Sequence, residues 1–309
     1  MCDLTKPHFQ DPDKAREYLE DLRWDGEPIC PHCNNNEAWP IKGGRKGLYK
    51  CASPSCRKQF TVTIGTVFEN SRVPLNKWLM AVYIMASSKK GVSSKQLERT
   101  LGVTYKTAWF MSHRIREAMK DVNGGLFGTG GGFVEVDEAY IGKKKTARKG
   151  RLRGTEAYKA KIQVLSLVDR ETGRARSIVV DDLSVKTLLP IVVENVSENA
   201  TVMTDMAYDY GKAKKHFKDH KSVNHGLKEY VNAEDNEIHT NTIEGFFSVF
   251  KRGMKGIYQH CSQDHLQRYM SEFDFRYNTR EKLGYDDAMR ADLILKGIQG
   301  KRLTYNPIS

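Results

Sequence analysis

Apolar positions recur along this chain in different rhythms, and the changes of rhythm divide it. Near the start, Ala15, Tyr18, Leu19 and Leu22 fall at helical spacing, with Asp11 placed to cap that helix and Pro12 suited to its first turn. A cysteine-rich stretch with β-type residues in GLYKC and QFTVT completes residues 1–63. Residues 64–122 read as helical throughout. KWLMAVYIMASS is a strongly apolar helix, and GVSSKQLERTLGVTYKTAWFMSHRIREAMK predicts two more around Gly102-Val103-Thr104. Ser93 or Ser94 caps the first of these, Gly102 permits the turn, and Thr104 caps the second. Residues 123–132, NGGLFGTGGG, hold six glycines in ten positions, which suits a flexible or tightly turned boundary.

From 133 to 309 strands and helices mix. Strands are predicted at FVEVDEAYIG, KAKIQVLSLVDR, ARSIVVDD, ATVMTDMA and KSVNH. Helices are predicted at SVKTLLPIVVENV, YGKAKKHF, IHTNTIEGFFSVFKRG and QDHLQRYMSEFDFRYNTR. Three neighbouring strands, then strands alternating with helices, is the order of a ribonuclease H-like α/β fold with a mixed five-stranded sheet. In that order the first and fourth strands lie side by side.

At 309 residues the chain is long enough for two or three units. Its net charge of +12 and pI near 9.3 point to a polyanionic partner, nucleic acid or an acidic membrane. No apolar run approaches the ~20 residues of a membrane span. The opening MCDLTKPHFQDPDK has no basic segment leading into an apolar stretch. The expectation is a cytoplasmic protein whose partner is nucleic acid and not membrane.

Four of the six cysteines cluster. Cys30 and Cys33 form C-P-H-C, and after 17 residues Cys51 and Cys56 form C-A-S-P-S-C, while Cys2 and Cys261 stand alone. Two thiolate pairs on tight knuckles close a tetrahedral shell, so one structural zinc ion is expected, with His32 as a minor alternative ligand. A redox C-x-x-C would call for a βαβ context that is missing here.

The helix after Gly102 carries Lys106, His113, Arg114 and Arg116, a basic set suited to DNA phosphates in a helix-turn-helix, with Trp109, Phe110 and Ile115 on its buried face. A plain helical hairpin is the alternative. Among 38 acidic residues, context selects three. Asp137 interrupts an apolar strand, where an ionised group is costly unless paired or metal-bound, and Glu135 shares its face. Asp205 ends another apolar strand, and Glu244 lies on a helix 39 residues later. Three carboxylates suit two magnesium (or manganese) ions of the kind that hold the attacking and leaving oxygens of a phosphodiester. Lys251, seven residues after Glu244, shares its helix face and can hold a phosphate, with Arg252 beside it. After the first strand, seven of eleven residues are basic: Lys143, Lys144, Lys145, Arg148, Lys149, Arg151 and Arg153. Beside a nucleic-acid site this run reads as a DNA-backbone clamp; otherwise it is a solvated charge run.

The motifs CPHC…CASPSC, VEVDEAYIG, VMTDMAYDY, HTNTIEGFFSVFKRGMKGIYQH and HLQRYMSEFDFRYNTR resemble the ISXO-like insertion-sequence transposases of prokaryotes, over about residues 9–290. That family joins an N-terminal zinc ribbon to a DDE-type, ribonuclease H-like domain. The resemblance implies magnesium-dependent cleavage of double-stranded DNA at element ends, strand transfer into target DNA, and a homodimer or higher assembly in the nucleoid. It carries the catalytic roles to Asp137, Asp205 and Glu244, with Lys251 as the following basic residue. Some members have asparagine as the third residue, and Asn241 is the position it would take. A DNA-binding regulator without catalysis, or a nuclease of the same fold, are the alternatives.

Overall fold

The computed structural model describes residues 4–121, 124–147, 154–205, 215–223 and 235–304. By its contacts the chain forms two units, residues 1–120 with 284–309, and residues 121–283. No helix among the described residues is long and apolar enough to cross a membrane.

The first unit opens with a short helix, α1 (Pro7–Gln10), and with α2 (Pro12–Trp24). Asp11 caps α2 by accepting from the backbone N–H groups of Asp13 and Lys14. A three-stranded antiparallel ribbon follows: β1 (Ala38–Pro40), β2 (Tyr49–Cys51) and β3 (Gln59–Phe60). Trp24 of α2 sets its ring edge-on to Tyr49 and Phe60, which gives this small ribbon an apolar footing. Helices α3 (Leu75–Ser87), α4 (Ser94–Leu101) and α5 (Tyr105–Met119) come next. Ser93 and Thr104 cap α4 and α5, and Gly102 between them takes the left-handed conformation, φ 58°, that ends α4.

The second unit is built on one sheet. Its strands are β4 (Phe133–Ile141), β5 (Ile162–Asp169), β6 (Ala175–Val180), β7 (Thr201–Asp205) and β8 (Asp219–Val223). They lie in the order β6-β5-β4-β7-β8, antiparallel from β6 to β4 and parallel from β4 to β8. A short α6 (Gly154–Lys159) precedes β5, and α7 (Val185–Asn195) crosses from β6 to β7. Then come α8 (Asn241–Gly253), a π turn at Met254–Tyr258, and α9 (Gln263–Asn278). Side-chain alternation sorts β4 between two cores. Val134 and Val136 join Leu188 and Val192 of α7 on one face, while Ala139 joins Phe246 and Phe250 of α8 and Phe273 of α9 on the other.

Helix α9 also closes the sheet's open edge. Asn278 donates to the Ala175 carbonyl and accepts from its N–H, Asp274 accepts from the Ser177 N–H and hydroxyl, and Gln267 bonds the Ser177 carbonyl and the Val179 N–H. Three side chains on one helix face thus stand where a sixth strand would pair, and β6 offers no free ladder there to another chain.

After α9 the chain returns to the first unit, where α10 (Asp287–Lys296) packs against α3 and α5. The sequence groups 284–309 with the preceding domain as part of its C-terminal helices, and the last helix it places ends at Arg280. Yet Asp286 caps α10, and Ala291, Ile294 and Leu295 bury one face of it. Of the flexible and the tightly turned readings of the glycine-rich segment, its described residues take the tightly turned one. Phe127 is buried in the second unit's core and pairs with Val196. Gly128, at φ 67°, donates to Asp169, and a Cβ there would stand 2.5 Å from that of Ala200. Strand β8 begins two residues before the predicted KSVNH. The helix predicted at YGKAKKHF lies largely outside the described residues, as do Cys2 and Arg148, Lys149, Arg151 and Arg153.

Full burial pushes the Asp274 carboxyl up to about 7 despite its bonds to Ser177. Between the ordinary carboxylate value and 7 the folded chain keeps a proton that the unfolded chain gives up, so stability falls as pH rises through that window. Urea titrations from pH 4 to 8 are expected to show that loss in the wild type and a flatter profile in Asp274→Asn. Parallel profiles would contradict it.

Candidate functional site

The register of β4 and β7 brings two acids to one level. Phe133 pairs with Thr201, and Asp137 and Asp205 each lie four residues further along these parallel strands. Both follow the parity of Glu135 and Met203, so both belong to the face that α8 covers, where each is partly buried.

Helix α8 supplies the opposite wall. Its apolar stripe of Ile243, Phe246, Phe247 and Phe250 is buried, which turns Glu244, Ser248, Lys251 and Arg252 outward. Asp137, Glu138, Glu244, Ser248, Lys251, Arg252 and Lys255 line an open cleft of about 490 Å³. Asn241 is exposed at the start of α8 and is not among these lining residues, whereas Glu244 and Asp137 are. Lys251 sits 5.7 Å over the Phe247 ring. The sequence reading missed Lys255, although it stands eleven residues after Glu244, three helical turns, and so on the same face.

The floor is a buried ion pair. Glu135 is fully buried and accepts from Arg170 at 2.5 Å and from the Ile243 N–H at 2.8 Å. Arg170 also bonds the His239 ring and carbonyl. Burial first, and next the Arg170 charge, hold the His239 imidazole below its ordinary value.

The basic run is only partly described. Lys143 is exposed. Lys144 donates to Gln163 and to the Asp181 carbonyl, and Lys145 pairs with Asp264. Two of its three described cations are thus already engaged within the second unit.

On α5 the expected DNA set divides. Lys106 is exposed, and so is Tyr105, with Lys95 over its ring at 5.2 Å. His113, Arg114 and Arg116 are buried, which corrects their assignment as phosphate-binding residues. His113 packs on Trp109, Arg114 donates to the carbonyls of Val67, Glu69 and Leu303, and Arg116 donates to Ser112. Trp109 and Phe110, expected inside, are only partly buried. Ile115 is buried as expected, and every residue from Met111 to Arg116 is buried, so that half of α5 leaves no face open to DNA. Burial holds the Arg114 guanidinium below its ordinary value by desolvation.

The four cysteines do converge. The Sγ atoms of Cys30, Cys33, Cys51 and Cys56 all lie within 4.8 Å of one another, with Cys30 to Cys56 at 3.9 Å and Cys33 to Cys51 at 3.5 Å. A tetrahedron of Zn–S bonds near 2.3 Å has edges of about 3.8 Å, so the set fits zinc. His32 is exposed and outside the cluster.

Comparison with known proteins finds matches to both regions of the chain. Residues 10–59 match the transposase zinc-ribbon domain, and residues 130–278 match the ISXO2-like transposase domain. The chain is 30% identical over 286 residues to an uncharacterized protein in transposable element ISH50 of Halobacterium salinarum, covering 88% of this chain and 92% of that protein. Among solved structures it is similar to the simian T-cell lymphotropic virus intasome in complex with PP2A regulatory subunit B56 gamma, at 12% identity and a TM-score of 0.27. That likeness covers 58% of this chain and 63% of the other.

Elemental analysis is expected to find one zinc per chain. Cys56→Ser is expected to lose it and to expose the ribbon, bounded by Cys30 and Cys56, to protease; zinc retained at full occupancy in Cys56→Ser would remove that residue from the ligand set.

Proposed function

The chain belongs to the ISXO2-like transposases that carry a transposase zinc ribbon, and from that premise we propose that it cuts the ends of its own insertion sequence and joins them to target DNA. The observation that carries the reading is the meeting of Asp137 and Glu244 across one cleft, with Asp205 in register on the neighbouring strand. The strand order, an antiparallel hairpin pair continued by two parallel strands, supports a ribonuclease H-like catalytic domain.

Asp137, Asp205 and Glu244 offer only oxygen donors, the chemistry that magnesium or manganese takes. Two such ions, when bound, supply charge for the attacking and leaving oxygens of a phosphodiester. The chain's own residues do the rest. Lys251, Arg252 and Lys255 form a cationic stripe beside the carboxylates that can hold the phosphates flanking the scissile one. In the first step water adds to phosphorus and the 3′ oxygen departs as a hydroxyl at the element end. In the second, that hydroxyl adds to a target phosphorus and the target's own 3′ oxygen departs. One phosphodiester forms for each one broken, so joining needs no external energy source.

Its partner is then double-stranded DNA, both element ends and target, and the protein works in the cytoplasm at the nucleoid. Pairing two ends calls for two active sites, hence a homodimer or a larger assembly on DNA. Lys106 and the exposed start of α5 remain candidates for DNA binding, together with Lys143.

The test is an assay with end-sequence duplex, target plasmid and magnesium. Cleaved ends and joined products are expected, and Asp137→Asn, Asp205→Asn and Glu244→Gln are each expected to cut the rate by more than about 100-fold. Cleavage without joining selects a nuclease, and binding without cleavage selects a regulator. An Asn241→Ala protein as inactive as Glu244→Gln would move the third acid's role. Separately, neutralising Lys143, Arg252 and Lys255 is expected to flatten the slope of log affinity against log salt by about 0.9 for each DNA phosphate that the variant no longer neutralises. An unchanged slope would place the DNA backbone elsewhere.

A further inference from the structure

We infer that Glu135, with Arg170 and His239, is a positioning device that clamps the first turn of α8 to β4 and so sets where Glu244 stands relative to Asp137. The inference rests on the proposed assignment of Asp137, Asp205 and Glu244 as metal ligands.

Four observations meet here. First, Glu135 lies on β4 two residues before Asp137, on the same face, and is fully buried outside the cleft. Second, its Oε2 accepts from the N–H of Ile243 at 2.8 Å, and Ile243 is the neighbour of Glu244. Ile243 is the third residue of α8, so its N–H has no partner inside the helix, and Thr240 at the N-cap makes no side-chain capping bond. A carboxylate from the sheet therefore does the work that a local Ser, Thr or Asp does for α2, α4 and α5. Third, Oε1 of Glu135 is held by Arg170 Nε at 2.5 Å. Fourth, Arg170 staples the approach to the helix. Its Nη1 donates to the Glu237 carbonyl at 2.6 Å, and its Nη2 meets the His239 carbonyl at 2.5 Å and the His239 Nδ1 at 2.9 Å.

The arrangement is expensive as pure architecture. A buried ion pair must recover the desolvation of both charges, and an apolar pair of similar volume is often as stable or more so. A local cap would also satisfy the helix, but it would leave only apolar packing to fix its first turn against the sheet. A cap donated by β4 ties the helix to the strand that carries Asp137. Groups one step behind metal ligands act this way, by orienting them, and their loss commonly weakens metal affinity about 10- to 100-fold.

The test uses full-length, zinc-loaded protein and Mn2+ as probe. Free Mn2+ is read by electron paramagnetic resonance, and amide exchange is followed across 241–247. Glu135→Gln/Arg170→Gln removes both charges at nearly constant shape. The expected result is faster exchange in the first turn of α8, unchanged exchange in β4 and β5, and Mn2+ half-saturation raised about 10- to 100-fold. Unchanged Mn2+ affinity, with or without faster exchange, overturns the inference, because a merely structural network would not move it. Should the double variant lack a cooperative melt, Arg170→Lys decides by the same readouts. It keeps a charge for Glu135 but loses the fork that spans Glu237 and His239, and a smaller rise in the same direction is expected. Asp137→Asn serves as the control: if it binds Mn2+ as the wild type does, the ligand assignment falls and takes this inference with it, an outcome distinct from failure of the clamp alone.

Discussion

The parallel pairing of β4 with β7 is the constraint on which the second unit depends. The chain first folds back on itself through β5 and β6. Helix α7 then carries it across one face of the sheet, and β7 lands beside β4 pointing the same way. Only a parallel partner brings the fourth residue of each strand after the Phe133/Thr201 pair to the same end of the sheet. Side-chain alternation then decides which face those residues occupy. A slip of one residue would send Asp137 among the valines and leucines beneath α7, where a carboxylate has nothing to meet. The valines at 134 and 136 therefore help to place Asp137, since burying them on the α7 face is what turns the alternate positions toward α8.

Such a sheet must be covered on both faces and closed at its edges, and the cover becomes the site. Helices α8 and α9 bury an aromatic layer over β4 to β6, and the exposed side of α8 and of the π turn after it carries Glu244, Lys251, Arg252 and Lys255. Along β6 the polar side chains of α9 take the place of a strand. The same helix also holds the Asp274 carboxyl, which burial keeps protonated to about pH 7.

Charge in this protein is spent in two ways. Glu135 with Arg170, and Glu272 with Arg276 and Tyr258, are buried networks in which each charged group meets a partner. In the first unit Arg114 and Arg116 are likewise consumed by carbonyls and a serine. Arg114 and Arg116 therefore count toward the net charge of +12 without being open to a polyanion.

Much of this could be read from the sequence alone, because the physics involved is local. The caps at Asp11, Ser93 and Thr104, the turn at Gly102, the strand periodicity around Asp137 and the spacing of the four cysteines act over a few residues. So does the two-turn interval from Glu244 to Lys251. Whatever depended on what each face would meet could not be read so directly. The basic residues of α5 looked like a DNA surface until Val67, Glu69 and Leu303 were found against Arg114. The glycine-rich segment read equally as flexible or tightly turned, and the burial of Phe127 in the core is what separates the two. Helix α10 finds its packing partners, α3 and α5, some two hundred residues earlier in the chain. Local periodicity determined which elements form and which acids were candidates. Only the tertiary structure decided that Asp137 and Glu244 line one cleft, and that Glu135 reaches the first turn of α8, because those arrangements join residues more than a hundred positions apart.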